Sequence, residues 1–476
     1  MSSANSNLDM FFKPKTVAVV GVSSQTRKFG HVIFKNFMES NINAKIYPVN
    51  PKIDNILGYK CYKSILDIPE PLDLVVIAIS RKAVLNVMEE CAQKKVRGVI
   101  IIAGGFSEIG PEGKKLEDEI LKIGSEKNIR IIGPNVIGIY DPYYGVDTLF
   151  LPRYRLMRPK RGKISFISQS GAFGSALLDF AASQGVGISK YVSIGNAIDV
   201  DVIDVLEYLE SDENTNCIMV YIEGLRTKKE KTKNFYNVIK RISLKKPIII
   251  LKGGLTEQGQ KAAASHTGSI SSQIDILKAV FKQTNVIQAD DALQLFDMAR
   301  MLSSSHFPTG RRIAIITNAG GFGVLTTDQL VKQGFDLTTL SKETVEFLKS
   351  KMPNEVIISN PTDLIGDSDT ERYKIALNKI LEDNNVDIVI LIILLSLSFV
   401  ESDIIDVIHA ARIKYKKPIV VCTIGGQFTQ MMVKMMEENE IPTFPNPKRT
   451  VNAVKALIHY AEFCIGREEV CYPLDR

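Results

Sequence analysis

One motif occurs twice in this chain, and it leaves few folds open. Lys163-Ile-Ser-Phe-Ile-Ser168 runs into Gln169-Ser170-Gly171-Ala172-Phe173-Gly174, and Arg312-Ile-Ala-Ile-Ile-Thr317 runs into Asn318-Ala319-Gly320-Gly321-Phe322-Gly323. Each is a β-branched run, a turn of small residues, then a helical pattern, as expected of a parallel strand feeding a helix. Three more matches follow in the same order: Gly195–Asp199 with Ser359–Asp363, Lys245–Ile249 with Lys416–Val420, and Gly253-Gly254 with Gly425-Gly426. Such ordered self-similarity predicts two flavodoxin-like domains of common design, each a doubly wound parallel sheet.

The residues ahead of the repeat read the same way. Strand-like runs at Thr16–Val20, Ala44–Val49, Leu72–Ile79, Gly98–Ile102 and Arg130–Ile132 alternate with helical patterns at His31–Met38 and Ala83–Lys94. This predicts an N-terminal Rossmann-like domain that binds its ligand past the carboxyl ends of the strands. The first turn is not a dinucleotide fingerprint, because Gly21 is followed by Val-Ser-Ser rather than by further glycines. The second strand ends in Asn50-Pro51-Lys52, with no carboxylate for a ribose hydroxyl. A lysine there suits a phosphorylated ribose, as in coenzyme A or NADP; equally, Gly21 and Lys52 read as ordinary turn and surface residues. Residues 140–162 are rich in Pro, Arg, Tyr and Gly without periodicity, and read as a linker or long loop. The expected domains are 1–145, 146–305 and 306–476.

Length and composition fit this division. A chain of 476 residues is too long for one core and predicts about three domains. The 45% hydrophobic and 24% charged fractions are those of a globular protein, and a net charge of +6 is modest and dispersed. Nucleic-acid binding is therefore a weak reading, and a groove for a polyanionic small molecule fits at least as well. The N-terminus lacks the pattern of a secretory signal, and the apolar run Ile388–Leu395 is far too short to span a bilayer. Six scattered cysteines without a Cys-x-x-Cys pair imply reduced core thiols in a cytoplasmic protein, with neither disulfides nor a metal site.

Three features carry chemistry. A Gly/Ser turn that opens a helix presents free N–H groups and the positive end of the helix dipole, so it binds phosphate without a cationic side chain. Two such turns, at Ser170-Gly171-Ala172 and Gly320-Gly321, suggest one phosphate between two helix N-termini; glycines that merely let strand and helix pack closely are the alternative. One of only five histidines, His266, lies in the polar loop Ala264-Ser265-His266-Thr267-Gly268-Ser269, which the second copy of the repeat lacks. There the matching stretch, 427–440, is a Met-rich helical run suited to core or interface. Strand Cys217–Ile222 ends in Glu223, a carboxylate at the functional edge of the sheet that can hold an imidazole, or simply face solvent.

Taken together, Gly21-Val-Ser-Ser24, Tyr47-Pro-Val-Asn-Pro-Lys52, Gly133-Pro-Asn135, Ser168-Gln-Ser-Gly-Ala172, Tyr221-Ile-Glu-Gly224, Ser265-His-Thr-Gly-Ser269, Asn318-Ala-Gly-Gly321 and Asn360-Pro-Thr-Asp363 resemble the alpha subunit of ADP-forming acyl-CoA synthetases, the acetate–CoA ligase type of the succinyl-CoA synthetase superfamily. The resemblance covers about Phe12 to Phe463. It implies a CoA-binding domain, a phosphohistidine domain and a second flavodoxin-like domain. It implies that His266 is phosphorylated in turnover and stabilised by Glu223, and that Ser170, Gly171, Ala172, Gly320 and Gly321 hold phosphate. Coenzyme A would lie on Gly21, Ser23, Ser24, Lys28, Lys52, Ile79, Ser80, Gly104, Gly105, Glu108 and Asn135.

Two departures stand out: Phe322 replaces a proline usual in its turn, and Val136 replaces a cysteine usual after Asn135. No ATP-grasp domain follows within the chain. ADP or ATP with Mg2+ would therefore bind a beta subunit, or a further part of a longer polypeptide, in a hetero-oligomeric ligase. The implied reaction is acyl-CoA, phosphate and ADP to acid, coenzyme A and ATP, with acetate or another short acid, a hydroxy acid included. Two other classes are a CoA-binding scaffold, disfavoured by an intact His266 and Glu223, and an NADP oxidoreductase, disfavoured by the missing glycine and the lack of a hydride-transfer site.

Overall fold

The computed structural model describes residues 8–224, 229–261, 274–397 and 399–465. The chain forms two compact units: residues 1–183 with 187–289, and residues 184–186 with 290–476. The first unit holds two sheets. The N-terminal one is five-stranded and parallel, in the order Lys45–Val49, Thr16–Val20, Leu74–Ile77, Gly98–Ile101, Arg130–Ile132. The chain reverses direction across the sheet beside Thr16–Val20, so the cleft for a ligand opens at the carboxyl end of that strand. Its core strands are apolar along their whole length because helices cover both faces: Leu74–Ile77 and Gly98–Ile101 are buried at every position.

The second sheet runs Ile287–Ala289, Ile248–Lys252, Cys217–Ile222, Arg161–Ser168, Ile188–Ser193, then antiparallel Ile139–Asp141 and Val146–Asp147. The last two strands come from the stretch read as a linker. They are too short to show periodicity, and their pairing partner is supplied by Tyr191 and Val192, distant in sequence. Arg130 joins the two sheets' domains by reaching Asp199 at 2.9 Å and Asp204 at 3.1 Å.

The second unit carries a five-stranded parallel sheet in the order Thr443–Phe444, Ile419–Cys422, Ile388–Ile392, Ile313–Thr317, Thr362–Asp363. Position by position this is the order of the first five strands of the sheet above, so the sequence repeat is a repeat of topology. Its details recur too. The Lys246 ammonium donates to the carbonyls of Leu209 at 2.6 Å and Asp212 at 2.7 Å, and Lys417 donates to those of Leu381 at 2.7 Å and Asp383 at 3.0 Å. In both copies a lysine ties the strand it precedes to the end of the helix that leads into the neighbouring strand. One match does not hold in space: Gly195–Asp199 follows its strand, whereas Ser359–Asp363 contains its strand.

Cys61, Cys91, Cys217 and Cys422 are buried free thiols, raised in pKa by burial. Cys464, on helix Pro447–Ile465, is disulfide-bonded, contrary to the expectation of thiols alone. No helix among the described residues is long and apolar enough to cross a membrane.

Burial pushes the Lys246 pKa down to about 8 from 10.5, although Asp212 opposes the shift. Between those values the unfolded chain holds a proton that the folded chain has released, so the fold gains stability as pH rises. Lys246→Met, which removes both of these hydrogen bonds, is expected to cost about 2 kcal/mol at pH 7. In urea titrations, the gap between parent and variant should widen from about pH 8 towards 10.5. A gap that narrows over that window contradicts the assignment.

Candidate active site

The carboxyl edge of the N-terminal sheet is built by glycines under steric constraint. Gly21 adopts φ +95°, and a Cβ there would lie 2.5 Å from the Ala78 carbonyl oxygen and 2.6 Å from Ile79 Cγ2. Any side chain would push the first loop off the Ile79-Ser80 loop, so Gly21 is what lets the two approach. The Asn50 carboxamide donates to the Val22 carbonyl at 2.6 Å and accepts from the Lys52 amide at 2.8 Å, which fixes the second loop against the first. Ser24, Lys28, Lys52 and Ser80 are solvent-exposed along this edge. The His31 Nδ1–H donates to the Ser23 carbonyl at 2.7 Å and anchors the start of helix Phe29–Glu39.

A second cluster closes the other side. Glu108 accepts from the Gly105 amide at 2.6 Å and from the Asn196 carboxamide at 2.7 Å. Burial pushes its pKa up, but these donors outweigh that and hold it below the usual value. Asn196 also donates to Glu117 at 2.6 Å. A Cβ on Gly104 would meet Asn135 Oδ1 at 3.0 Å and Glu108 Oε1 at 3.4 Å, so Gly104, Glu108 and Asn135 form one surface. Arg81 donates to the Gly105 carbonyl at 2.6 Å. Sequence reasoning missed Arg81 and used Asn196 only as a repeat marker; the signal was an asparagine after a buried strand, whose partners lie far away in sequence.

In the second sheet the phosphate-type turn and the strand-end carboxylate are tied by one side chain. Gln169 accepts from the Glu223 amide at 2.7 Å and the Gly224 amide at 3.2 Å, while its own amide donates to the Tyr221 carbonyl at 3.0 Å. Ser170-Gly171-Ala172 opens helix Gly171–Ser183, whose first-turn N–H groups have no partner inside the helix. A Cβ on Gly171 would lie 2.7 Å from Ile137 Cγ2, so glycine brings the helix end close to the chain leaving the N-terminal domain.

The Tyr221 hydroxyl donates to Glu223 Oε1 at 3.1 Å, and its ring stacks on Phe173 at 4.0 Å. The Lys252 ammonium donates to the Glu223 carbonyl at 2.7 Å and to that of Gly253. Burial lowers the Lys252 pKa, and Glu223 pulls it back up. Glu223 is thus a positioned carboxylate beside a cation at a sheet edge, the setting needed to orient an imidazole. His266 and its neighbours 262–273 lie outside the described residues.

The turn of the second unit repeats the device. Asn318 accepts from the Leu394 amide at 2.8 Å and donates to its carbonyl at 3.2 Å. Thr317 Oγ1 donates to the Ala319 carbonyl at 3.0 Å, as Ser168 Oγ does to that of Ser170 at 2.7 Å. Gly320 and Gly321 are exposed at the start of helix Gly320–Lys332. A Cβ on Gly320 would meet Asp363 Oδ2 at 2.6 Å, and one on Gly321 would meet nothing. Phe322 points no donor away, since the Phe322 amide bonds the Ala319 carbonyl at 3.0 Å. The Met-rich helix Gln427–Glu438 buries Met432 and Met436 and exposes Met431, so it serves packing on one face.

Gln169→Leu leaves the amides of Glu223 and Gly224 unpaired and is expected to cost about 1–3 kcal/mol of stability in chemical denaturation. Gln169→Glu, which keeps the acceptor, should restore most of it. Equal losses in both variants would show that packing, not the hydrogen bonds, matters here.

Comparison with known proteins agrees with this geometry. Residues 15–142 match the CoA binding domain, 161–302 the succinyl-CoA ligase like flavodoxin domain, and 313–463 the ligase-CoA domain. The chain is 37% identical over 460 residues to the alpha subunit of acetate–CoA ligase (ADP-forming) II of Pyrococcus furiosus, covering 96% of this chain and 98% of the relative. It is 41% identical to acetate–CoA ligase (ADP-forming) of Methanocaldococcus jannaschii, covering 96% of this chain but 64% of that longer polypeptide. The structure of acetyl-coenzyme A synthetase 1 from Ca. Korarchaeum cryptofilum, in complex with phosphate and ADP, superposes with a TM-score of 0.88 at 32% identity, covering 98% of this chain and 100% of that one. A sheet edge of closely packed loops in a CoA binding domain, a turn tied to a strand-end carboxylate and a repeated second turn therefore sit on a chain that belongs to the ADP-forming acetate–CoA ligases, as a counterpart of their alpha subunits.

Proposed function

We propose that this chain catalyses the acyl and first phosphoryl transfer of an ADP-forming acid–CoA ligase, with His266 carrying the phosphoryl group. The observation that carries the reading is Gln169, whose carboxamide joins the turn Ser170-Gly171-Ala172 to Glu223. A phosphate-binding helix end and a carboxylate for an imidazole are thereby held by one residue. Coenzyme A lies along Gly21, Ser23, Ser24, Lys28, Lys52, Ile79 and Ser80, with its thioester end towards Gly104, Gly105, Glu108 and Asn135.

Phosphate held at the Gly171 helix end attacks the thioester carbonyl. The C–S bond breaks, giving acyl phosphate and the coenzyme A thiol. One imidazole nitrogen of His266 then attacks phosphorus and releases the carboxylic acid. Glu223 accepts a hydrogen bond from the other nitrogen, which keeps the attacking nitrogen's lone pair free and stabilises the charged phosphoimidazole. Helix-end amides suit the phosphate because they offer positive potential without a competing nucleophile. The phosphohistidine passes its phosphoryl group to ADP on an ATP-grasp beta subunit or domain, where Mg2+ would be held, and the sequence runs in reverse for acid activation.

The setting in this reading is cytoplasmic, which four buried free thiols support and the disulfide-bonded Cys464 opposes. The acid is a short carboxylic acid, acetate in the names of the two relatives described above.

Incubating the full chain with acyl-CoA and labelled phosphate is expected to give an acid-labile, base-stable protein label. His266→Ala should abolish it, and Glu223→Gln should reduce it at least tenfold, a loss of about 1.4 kcal/mol in phosphohistidine stability or formation. Label that persists in His266→Ala overturns the mechanism.

A further inference from the structure

A cavity of about 770 Å³ lies within the first unit, between helix Phe29–Glu39 and the loop 150–155. None of the residues assigned above to coenzyme A or phosphate lines it, yet it borders both. On one side it begins at Thr26 and Arg27, two residues beyond Ser24. On the other, Phe150 donates its amide to the Ile137 carbonyl at 3.2 Å, and Ile137 is the residue against which Gly171 packs. The rings of Phe29 and Phe150 stack at 4.1 Å and bridge the two sides.

The loop is a fixed wall. Asn36 donates to the Leu149 carbonyl at 2.6 Å, and the buried Arg158 binds both Asp147 oxygens and the Leu151 carbonyl.

The charges of the cavity are unbalanced. Glu39, its one carboxylate, faces Lys35 at 3.5 Å and Arg153 at 3.8 Å. Arg27 and Arg155 have no carboxylate partner among the described residues; Arg155 rests over the Tyr154 ring at 5.8 Å. An aromatic, apolar floor with two uncompensated guanidiniums fits an organic body that ends in an anion or hydroxyl. Ligand sites of about 300–1,000 Å³ take molecules far larger than a two-carbon acyl group.

We propose that this cavity is the acyl pocket and that it selects acids longer than acetate with a carboxylate or hydroxyl at the far end. The proposal rests on the ligase reading above, because it needs the thioester, directed towards Asn135, to pass its acyl chain by Ile137 and Phe150 into the cavity. Phe29 and Phe150 enclose the chain of the acid, and Arg155 binds its distal group.

The test is calorimetric titration of the full-length chain with coenzyme A, acetyl-CoA and glutaryl-CoA. Glutaryl-CoA is expected to bind at least tenfold more tightly than acetyl-CoA. Arg155→Ala should collapse that ratio towards one, and Phe150→Trp, which fills the cavity, should do the same by a different route. Equal affinity of the parent chain for the two thioesters overturns the proposal. So does a ratio that survives both substitutions, or an Arg155→Ala loss that falls equally on free coenzyme A, which would place Arg155 on the nucleotide. Absence of coenzyme A binding in the same titration would instead overturn the ligase reading itself.

Discussion

The structure depends on a carboxamide placed after the first strand of each sequence repeat. Gln169 and Asn318 accept from the backbone amides that leave the neighbouring strand, at 2.7 Å and 2.8 Å. These amides sit past the end of the ladder, where no strand partner remains, and burying them unpaired would be costly. The same bond decides where the small-residue turn lies relative to the next strand end. In the first copy that strand end is Glu223, so a bond needed for folding also sets a carboxylate beside a helix N-terminus. Function has been added to a stitch that the fold requires in any case.

The N-terminal domain solves a different problem, how to bring three loops together at the edge of one sheet. Gly21, Gly104 and Gly171 each stand where a Cβ would strike a neighbour within about the van der Waals limit, at 2.5, 3.0 and 2.7 Å. Their role is spatial: each glycine marks a place where two segments must touch. Asn196 and Arg130 then lock the first domain to the second through Glu108, Glu117, Asp199 and Asp204, so the CoA-type edge and the phosphate-type turn share one rigid frame. The cavity under Phe29 and Phe150 arises in the same frame, where the chain crosses from one domain to the next.

Much of this was legible in the sequence. The repeated strand–turn–helix motif determined two sheets of the same strand order, because β-branched runs buried on both faces can only form parallel strands covered by helices. Gly21, the two small-residue turns and Glu223 were visible as small or ionisable residues at strand ends. Tertiary structure alone decided the rest. That residues 139–147 are strands rather than linker follows from Tyr191 and Val192, which the chain supplies only after folding. The partners of Asn196 and the stacking of Phe29 on Phe150 also join residues whose separation in sequence carries no periodicity. Hydrophobic patterns encode which face of an element is buried, but pairings between distant polar and aromatic side chains are set by the distances that packing creates.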